Sequence, residues 1–190
     1  MKKFIIITCG LLLTIGSAFA QNWSFDKVHS RVGFAINFLT VTDVYGSFRS
    51  VDITVTAAKP DFSDASVQLT ADVNSINTEF DQRDEVLKSS DFFDAAKYGQ
   101  ITFKSTGIRR IKGNVYTING DLTLHGITKP VILELTYNGT STNPFNKKTV
   151  AGFKVTGSIK RSDFNLGAGL PSPTLADIAQ LDANVILNAN

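Results

Sequence analysis

The sequence Gly-Asp-Leu-Thr-Leu-His-Gly-Ile-Thr-Lys-Pro-Val, residues 120–131, is the stretch from which the fold can be inferred. Leucines alternate with polar residues as far as Leu124, which is the period of a half-buried strand, and Gly126 then frees the backbone to turn. Proline donates no amide hydrogen, so Pro130 favours an edge or the first position of the next strand, residues 131–137. The stretch therefore predicts two antiparallel strands that meet at a corner.

Several other segments show the same period of two. In residues 31–38, valine, isoleucine and phenylalanine share one face, while small or polar residues share the other. A change of phase between Val44 and Val55 predicts a bulge or tight bend near Ser50. Further strands are expected at residues 23–26, 66–73, 100–105, 114–124, 150–160 and 183–187.

One segment, residues 81–90, breaks the strand pattern. Asp81 is suited to cap a helix, acidic residues follow in the first turn, and Val86 with Leu87 gives a small apolar face. About eight strands with one short helix in a single domain favour an all-β antiparallel barrel or sandwich. The many phenylalanines suit a wide interior, and an eight-stranded barrel either fills its interior with side chains or holds one small ligand.

The N-terminus has the pattern of a secretory signal peptide. Lys2 and Lys3 precede an apolar run, and small residues stand at positions −3 and −1 before Gln21. We therefore expect residues 1–20 to be a cleaved leader and residues 21–190 to form one exported domain. No later stretch approaches 18 uninterrupted apolar residues, so we expect no transmembrane segment in the mature chain.

Removal of the leader changes the composition of the chain. Cys9, the only cysteine, is lost, which excludes thiol and metal–thiolate chemistry from the mature protein. Lys2 and Lys3 also leave, so 17 basic residues remain against 17 acidic ones. A chain of zero net charge without a clustered basic face argues against nucleic acid as a partner.

Few residues suggest catalysis or metal binding. His29 and His125 are the only histidines, and a zinc site would need more ligands, so a structural hydrogen-bonding role is favoured. The chain lacks a Gly-x-Ser-x-Gly elbow and a phosphate-binding glycine loop. Arg83 with Asp84 and, later, Arg161 with Asp163 are candidate ion pairs.

The corner at residues 120–131 resembles the signature of the YceI-like family of bacterial periplasmic proteins, Gly-x-Leu-x-(hydrophobic)-x-Gly-(hydrophobic)-Thr-x-Pro-Val, at every position. Residues 23–34 are similar to the family's opening, parts of residues 75–94 to its middle, and residues 161–164 to its late strand. Two positions depart from the pattern. Asn37-Phe38 stands where relatives often carry a histidine, and Gly99 replaces a usual proline.

The resemblance implies an extended, eight-stranded, lipocalin-like antiparallel β-barrel, open at one end, in the periplasm. Its apolar interior would hold a polyisoprenoid, a quinone or a similar amphiphilic lipid, without catalysis or a catalytic cofactor. Burial of an extended chain gains about 0.8 kcal/mol per methylene, so few polar anchors are needed.

The alternating strands supply the residues expected to bind this lipid, although the same side chains would equally form a packed core. The predicted lining consists of Phe34, Ile36, Phe38, Phe48, Phe103, Leu122, Leu124, Leu133, Phe153 and Val155. At the mouth, Arg83 would either meet a polar head group or fix a loop. Phe92 and Phe93 would form either a lid or ordinary core beneath a loop.

The favoured hypothesis is a periplasmic binding or carrier protein for an isoprenoid lipid. The alternative is a packed, non-catalytic barrel that partners a membrane redox or stress-response system, and it predicts no internal cavity. An enzyme that acts on a bound lipid would need a polar cluster facing the interior. A homodimer is compatible with an open barrel, but the sequence shows no interface pattern.

Overall fold

The computed structural model describes residues 20–190, so the expected leader lies outside the described residues except for Ala20. This part of the chain contains eleven β-strands, one α-helix and two short 3₁₀ helices. Their bounds are β1 Gln21–Phe25, β2 Arg31–Phe38, β3 Thr42–Phe48, β4 Val51–Ala57, β5 Ser66–Asp72, β6 Ile76–Asn77, α1 Asp81–Lys88, β7 Gln100–Lys112, β8 Val115–Leu124, β9 Ile127–Thr142, β10 Thr149–Lys160 and β11 Leu175–Ala189, with 3₁₀ helices at Val73–Ser75 and Arg161–Phe164.

The strands form a closed antiparallel barrel. Eight of them pair in the order β1, β4, β5, β7, β8, β9, β10 and β11, and β11 returns to β1. Because β11 is long, it pairs with β2 along its first part and with β1 along its last part. Strands β3 and β6 extend the wall beyond β2. The predicted eight-stranded antiparallel barrel with one short helix is confirmed.

The strand directions give the barrel two different ends. The loops at residues 58–65, 113–114 and 143–148 lie at one end, which is called the closed end below. The β2–β3 turn, helix α1 and residues 161–174 lie toward the other end, which is called the mouth. The paired strands run between the mouth and the closed end, so each end has its own set of loops.

The corner at residues 120–131 is a tight turn in which His125 and Gly126 have positive φ angles of 51° and 71°. Strand β9 begins at Ile127, so Pro130 does not open this strand, and of the two expected positions the edge is the one that the structure bears out. The ladder between β9 and β10 begins only at Glu134. Pro130 therefore lies on an edge portion of β9, where its missing amide hydrogen breaks no ladder.

Other local expectations can be compared directly with the structure. The bend near Ser50 is confirmed, because β3 ends at Phe48 and β4 begins at Val51. Helix α1 lies in the expected segment, but Asp81 is not its cap, since Phe80 occupies that position without a capping side chain. Strands β7 and β11 are several residues longer than expected.

Candidate functional site

An internal cavity of about 500 Å³ occupies the barrel. Side chains from β2 to β5 and from β7 to β11 line it, and its size lies within the range of roughly 300–1,000 Å³ that is usual for small-molecule sites. All ten residues of the predicted lining lie on its wall, namely Phe34, Ile36 and Phe38 of β2, Phe48 of β3, Phe103 of β7, Leu122 and Leu124 of β8, Leu133 of β9, and Phe153 and Val155 of β10. Their contact with a ligand stays a prediction.

Two glycines help to keep the interior open. A Cβ atom at Gly46 would clash with the ring of Phe34, and one at Gly120 would clash with the ring of Phe103. The Gly120 position would also bring a Cβ within 2.6 Å of the Lys104 carbonyl oxygen. Each ring thus packs against a glycine backbone on the neighbouring strand. This packing leaves space in the lumen that a larger residue in place of the glycine would take up.

Phe62 forms the floor of the cavity at the closed end. It comes from the loop between β4 and β5, and its ring centroid lies 4.9 Å from that of Phe153 and 5.0 Å from that of Trp23. The Tyr137 ring lies 5.4 Å away. These four aromatic side chains stop the lumen before it reaches the closed end.

Polar contacts hold the loop that carries Phe62. The buried Tyr116 hydroxyl donates to the carbonyl oxygen of Asp61 at 2.9 Å, and Arg110 bonds the Asp61 carboxylate at 2.8 Å. Backbone and side-chain hydrogen bonds from Ser63, with a smaller contribution from Arg110, lower the pKa of Asp61 below its ordinary value of 3.8. The floor is therefore fixed from outside the apolar lumen.

At the mouth, a hydrogen-bonded cluster joins β6 to α1. The buried Asp84 carboxylate accepts from the Thr78 amide at 2.9 Å and from its hydroxyl at 2.5 Å. Arg83 donates to the Thr78 hydroxyl at 2.8 Å and to its carbonyl at 2.6 Å, and lies over the Phe80 ring. Arg83 and Asp84 thus meet through Thr78 rather than as a direct pair, and Arg83 lines the cavity while fixing the loop.

Phe92 and Phe93 follow α1 and both contribute to the cavity wall. Phe93 is buried and packs edge-on against Phe48 with ring centroids 6.0 Å apart. Phe92 is half-buried and packs over Gly167, so that a Cβ at this glycine would lie 2.8 Å from its ring. Phe93 belongs to the buried core and Phe92 packs against it, while a lid role for either ring stays a prediction.

Arg161 organises the opposite side of the mouth. Its guanidinium donates five hydrogen bonds of 2.5–3.1 Å to backbone carbonyl oxygens, and the side chain is only 7% exposed. The acceptors are the carbonyls of Leu166, Gly167, Leu170, Leu175 and Ala176. The expected ion pair with Asp163 is absent from the ion pairs of residues 20–190, because every guanidinium donor already has a backbone acceptor.

The two histidines make structural contacts. His29 Nδ1 lies 3.0 Å from a carboxylate oxygen of Asp26, and His125 Nδ1 lies 3.0 Å from the carbonyl oxygen of Phe164. Within residues 20–190, no three His, Cys, Asp or Glu side chains cluster in a way that could hold a metal ion. None of the helices in this described part is long and apolar enough to cross a membrane.

A comparison with known protein families matches residues 23–187 to the model of the YceI-like domain. The chain belongs to the YceI-like family. A curated relative, Protein YceI of Salmonella newport strain SL254, is 38% identical over 174 residues, which cover 90% of each chain. The resemblance inferred from the corner and its accompanying segments is therefore confirmed.

Solved structures of YceI-like proteins share the barrel. A crystal structure of a Campylobacter jejuni YceI protein matches with a TM-score of 0.74 and 31% identity, covering 87% of this chain and 96% of that one. A polyisoprenoid binding domain from Saccharophagus degradans matches with a TM-score of 0.65 and 18% identity, covering 88% and 98%. This second likeness establishes the fold alone.

Several residues of the YceI-like cavity were not predicted from the sequence. Phe62 lies in the connection between two predicted strands, where a lone aromatic residue between Asp61 and Ser63 is the sequence signal of a buried plug. Arg161 and Thr78 line the mouth without a distinctive local pattern. The wall also includes inward residues of β4, β5 and β11, whose alternation is visible in the sequence, namely Ile53, Val55, Val67, Leu69, Leu181, Ala183 and Val185.

Proposed function

We propose that the protein binds one long-chain isoprenoid or similar amphiphilic lipid inside the barrel and carries it in the periplasm. This proposal rests on the cavity of about 500 Å³ and on its apolar wall. The polar residues that line the cavity are Thr78, Arg83, Arg161 and Asp182. The binding activity named for the Saccharophagus degradans domain, which has the same fold, supports the ligand class.

The polar groups of the cavity are already engaged by the protein. Thr78 and Arg83 bond each other, Arg161 bonds backbone carbonyls, and Asp182 lies 3.8 Å from Arg31. Binding energy must then come mainly from apolar burial, at about 0.8 kcal/mol per methylene. An extended prenyl or acyl chain uses such a lumen better than a compact polar molecule, and the arrangement favours a carrier over a lipid-modifying enzyme.

A packed interaction module is the second candidate function. It predicts an interior filled by side chains, so the volume of the lumen favours the lipid carrier. The expected exported leader, if cleaved before Gln21, agrees with a periplasmic carrier.

Two adjacent residues of β11 provide the decisive experiment. Ala183 lines the cavity and Asn184 is exposed, because neighbouring residues of a strand point to opposite faces. We expect Ala183→Phe to reduce the lipid that copurifies with the protein by at least about tenfold, since a ring would fill the lumen. Asn184→Phe is the matched control and should keep its lipid.

Native mass spectrometry with organic extraction measures the bound lipid directly. One isoprenoid or long-chain lipid per barrel in the unaltered protein would support the proposal. A protein that is empty after purification and also fails to take up added prenyl quinones would contradict it, as would equal lipid content in the two variants.

A further inference from the structure

The turn between β2 and β3 has an unusual sequence for its backbone conformation. Leu39 and Thr40 have positive φ angles of 53° and 61°, and the Val41 amide donates to the Phe38 carbonyl at 3.2 Å. The connection has three residues, because Phe38 pairs with Thr42, and two of them in succession are left-handed, a conformation that favours Asn and Gly. A leucine followed by a β-branched threonine is strained there, and such strain points to a function of the side chains.

The strained turn presents apolar side chains to solvent. Leu39 is 49% exposed and Val41 is 80% exposed. Phe38, at the base of the turn, is 38% exposed and also lines the cavity. The apolar surface of the lumen therefore continues outward through Phe38 to the tip of the hairpin.

A second mouth segment lies against this turn and likewise carries no charge. The Leu39 amide donates to the Thr174 carbonyl at 3.0 Å, which joins the turn to residues 165–176. Neither residues 38–42 nor residues 165–176 contain a charged side chain. We call these two segments together the apolar lip.

The closed end of the barrel has the opposite composition. Its loops carry Lys59, Asp61 and Asp64 in residues 58–65, Lys112 beside the β7–β8 turn, and Lys147 with Lys148 in residues 143–148. The exposed Phe145 of this end lies close to Lys147 and Lys148 in the sequence. The lip is the uncharged part of the mouth, since helix α1 at the same end carries charged side chains, and its apolar tip matches a partner that offers hydrocarbon.

We propose that the apolar lip docks on the surface of a lipid bilayer and inserts Leu39 and Val41 between the lipids. This inference rests on the proposed function, because a water-insoluble chain has to enter the barrel from a membrane. Phe38 then joins the inserted tip to the lumen, so that the lipid chain passes along a continuous apolar surface. Docking by burial rather than by charge predicts little dependence on anionic lipid or salt.

Flotation of the purified protein, freed of lipid and with its N-terminus verified by mass, tests the docking. Vesicles of phosphatidylcholine, alone and mixed with phosphatidylglycerol, are used at low and high salt. We expect the protein to float with both kinds of vesicle at both salt concentrations. Failure to float would overturn the proposal, and so would binding that requires phosphatidylglycerol and is lost in high salt.

The double variant Leu39→Asn, Thr40→Gly supplies the turn sequence that the backbone prefers. We expect its thermal midpoint to equal or exceed that of the unaltered protein, while vesicle binding weakens at least about tenfold through the lost apolar side chain. Loss of binding in a protein that is no less stable cannot be attributed to misfolding. Phe145→Ser removes an exposed aromatic residue from the closed end and should leave flotation unchanged.

Three outcomes for the variants would contradict the inference. These are equal flotation of the double variant, an equal loss in Phe145→Ser, and a dimer that dissociates in the double variant without any vesicle binding. The last result would assign the lip to a second copy of this chain. Flotation of a protein that purifies empty and takes up no prenyl quinone would refute the proposed carrier function while leaving the docking surface supported.

Discussion

Arg161 shows how a charged residue can be buried with backbone carbonyl oxygens as its hydrogen-bond partners. A guanidinium offers five N–H donors in a fixed planar arrangement, and here all five reach backbone carbonyls of the mouth. The bonds tie the 3₁₀ helix after β10 to the first residues of β11. Because carbonyl oxygens carry partial negative charge, they replace solvent around this cation.

We predict that Arg161→Lys lowers the free energy of unfolding by about 3 kcal/mol or more, because a compact ammonium cannot reach five separated acceptors. Urea unfolding followed by tryptophan fluorescence measures the change. Arg49→Lys is the control, since Arg49 is exposed and its replacement should cost less than about 1 kcal/mol. Equal effects of the two substitutions would argue against the role assigned to Arg161.

The sequence alone does not reveal this role of Arg161. The nearby Asp163 suggests an ion pair, and local spacing carries no information about carbonyl groups up to 15 residues away. The same reasoning explains Arg83 and Asp84, which are adjacent in sequence but interact through Thr78. Local pairing rules fail where the backbone supplies the partners.

Among the elements, the loop at residues 58–65 determines how deep the cavity is. Its Phe62 adopts a positive φ of 57° and places its ring among three aromatic side chains of the barrel. Asp64 accepts from the amides of Ala58 and Lys59, both at 3.1 Å, and this closes the loop on itself. The loop acts as a plug whose outer side is polar and whose inner side is aromatic.

We predict that Phe62→Ala lowers the free energy of unfolding by about 3–5 kcal/mol, the usual cost of removing a buried phenylalanine. We also expect the variant to retain longer prenyl chains than the unaltered protein, because the lumen then extends toward the closed end. Native mass spectrometry with prenyl alcohols of graded length measures this preference. The same preference in both proteins would show that Phe62 does not set chain length, and Phe145→Ala serves as the exposed control.

Strand alternation allows most elements to be located from the sequence, and it does so best where one face is buried. The runs at residues 31–38 and 114–124 are nearly complete strands in the structure. Strand β11 was expected only at residues 183–187, because Asp177, Gln180 and Asp182 interrupt its apolar pattern near the mouth. In this part the strand is half-exposed, so no alternating apolar pattern marks it in the sequence.

For the molecule as a whole, half-buried carboxylates make stability sensitive to acid. Hydrogen bonds from Ser63 lower the pKa of Asp61, and hydrogen bonds from the Ser162 side chain and amide lower that of Asp177, both below the ordinary 3.8. A carboxyl group with a lower pKa in the folded chain binds fewer protons there than in the unfolded chain. Its stabilising contribution is therefore present above pH 3.8 and is lost as the pH falls through the folded value.

We predict that the urea midpoint is nearly flat above pH 5 and falls below about pH 4. The substitution Asp177→Asn should reduce the steepness of this fall, because the altered side chain cannot titrate. Asp52→Asn is the control, since Asp52 makes only an exposed contact with Lys27 at 3.6 Å. A midpoint that rises on acidification would contradict the assignment.

The pairing of β11 with both β1 and β2 has a consequence for the order of folding. The barrel wall closes only when β11, Leu175–Ala189, pairs with β1 near the start of the described chain. In this ladder Trp23 lies opposite Ala189. A chain that emerges from its N-terminus therefore exposes two unpaired strand edges and an open apolar trough until β11 arrives. We expect truncation before Leu175 to yield an aggregating chain rather than a smaller barrel, because the strand edges and the apolar trough then stay exposed.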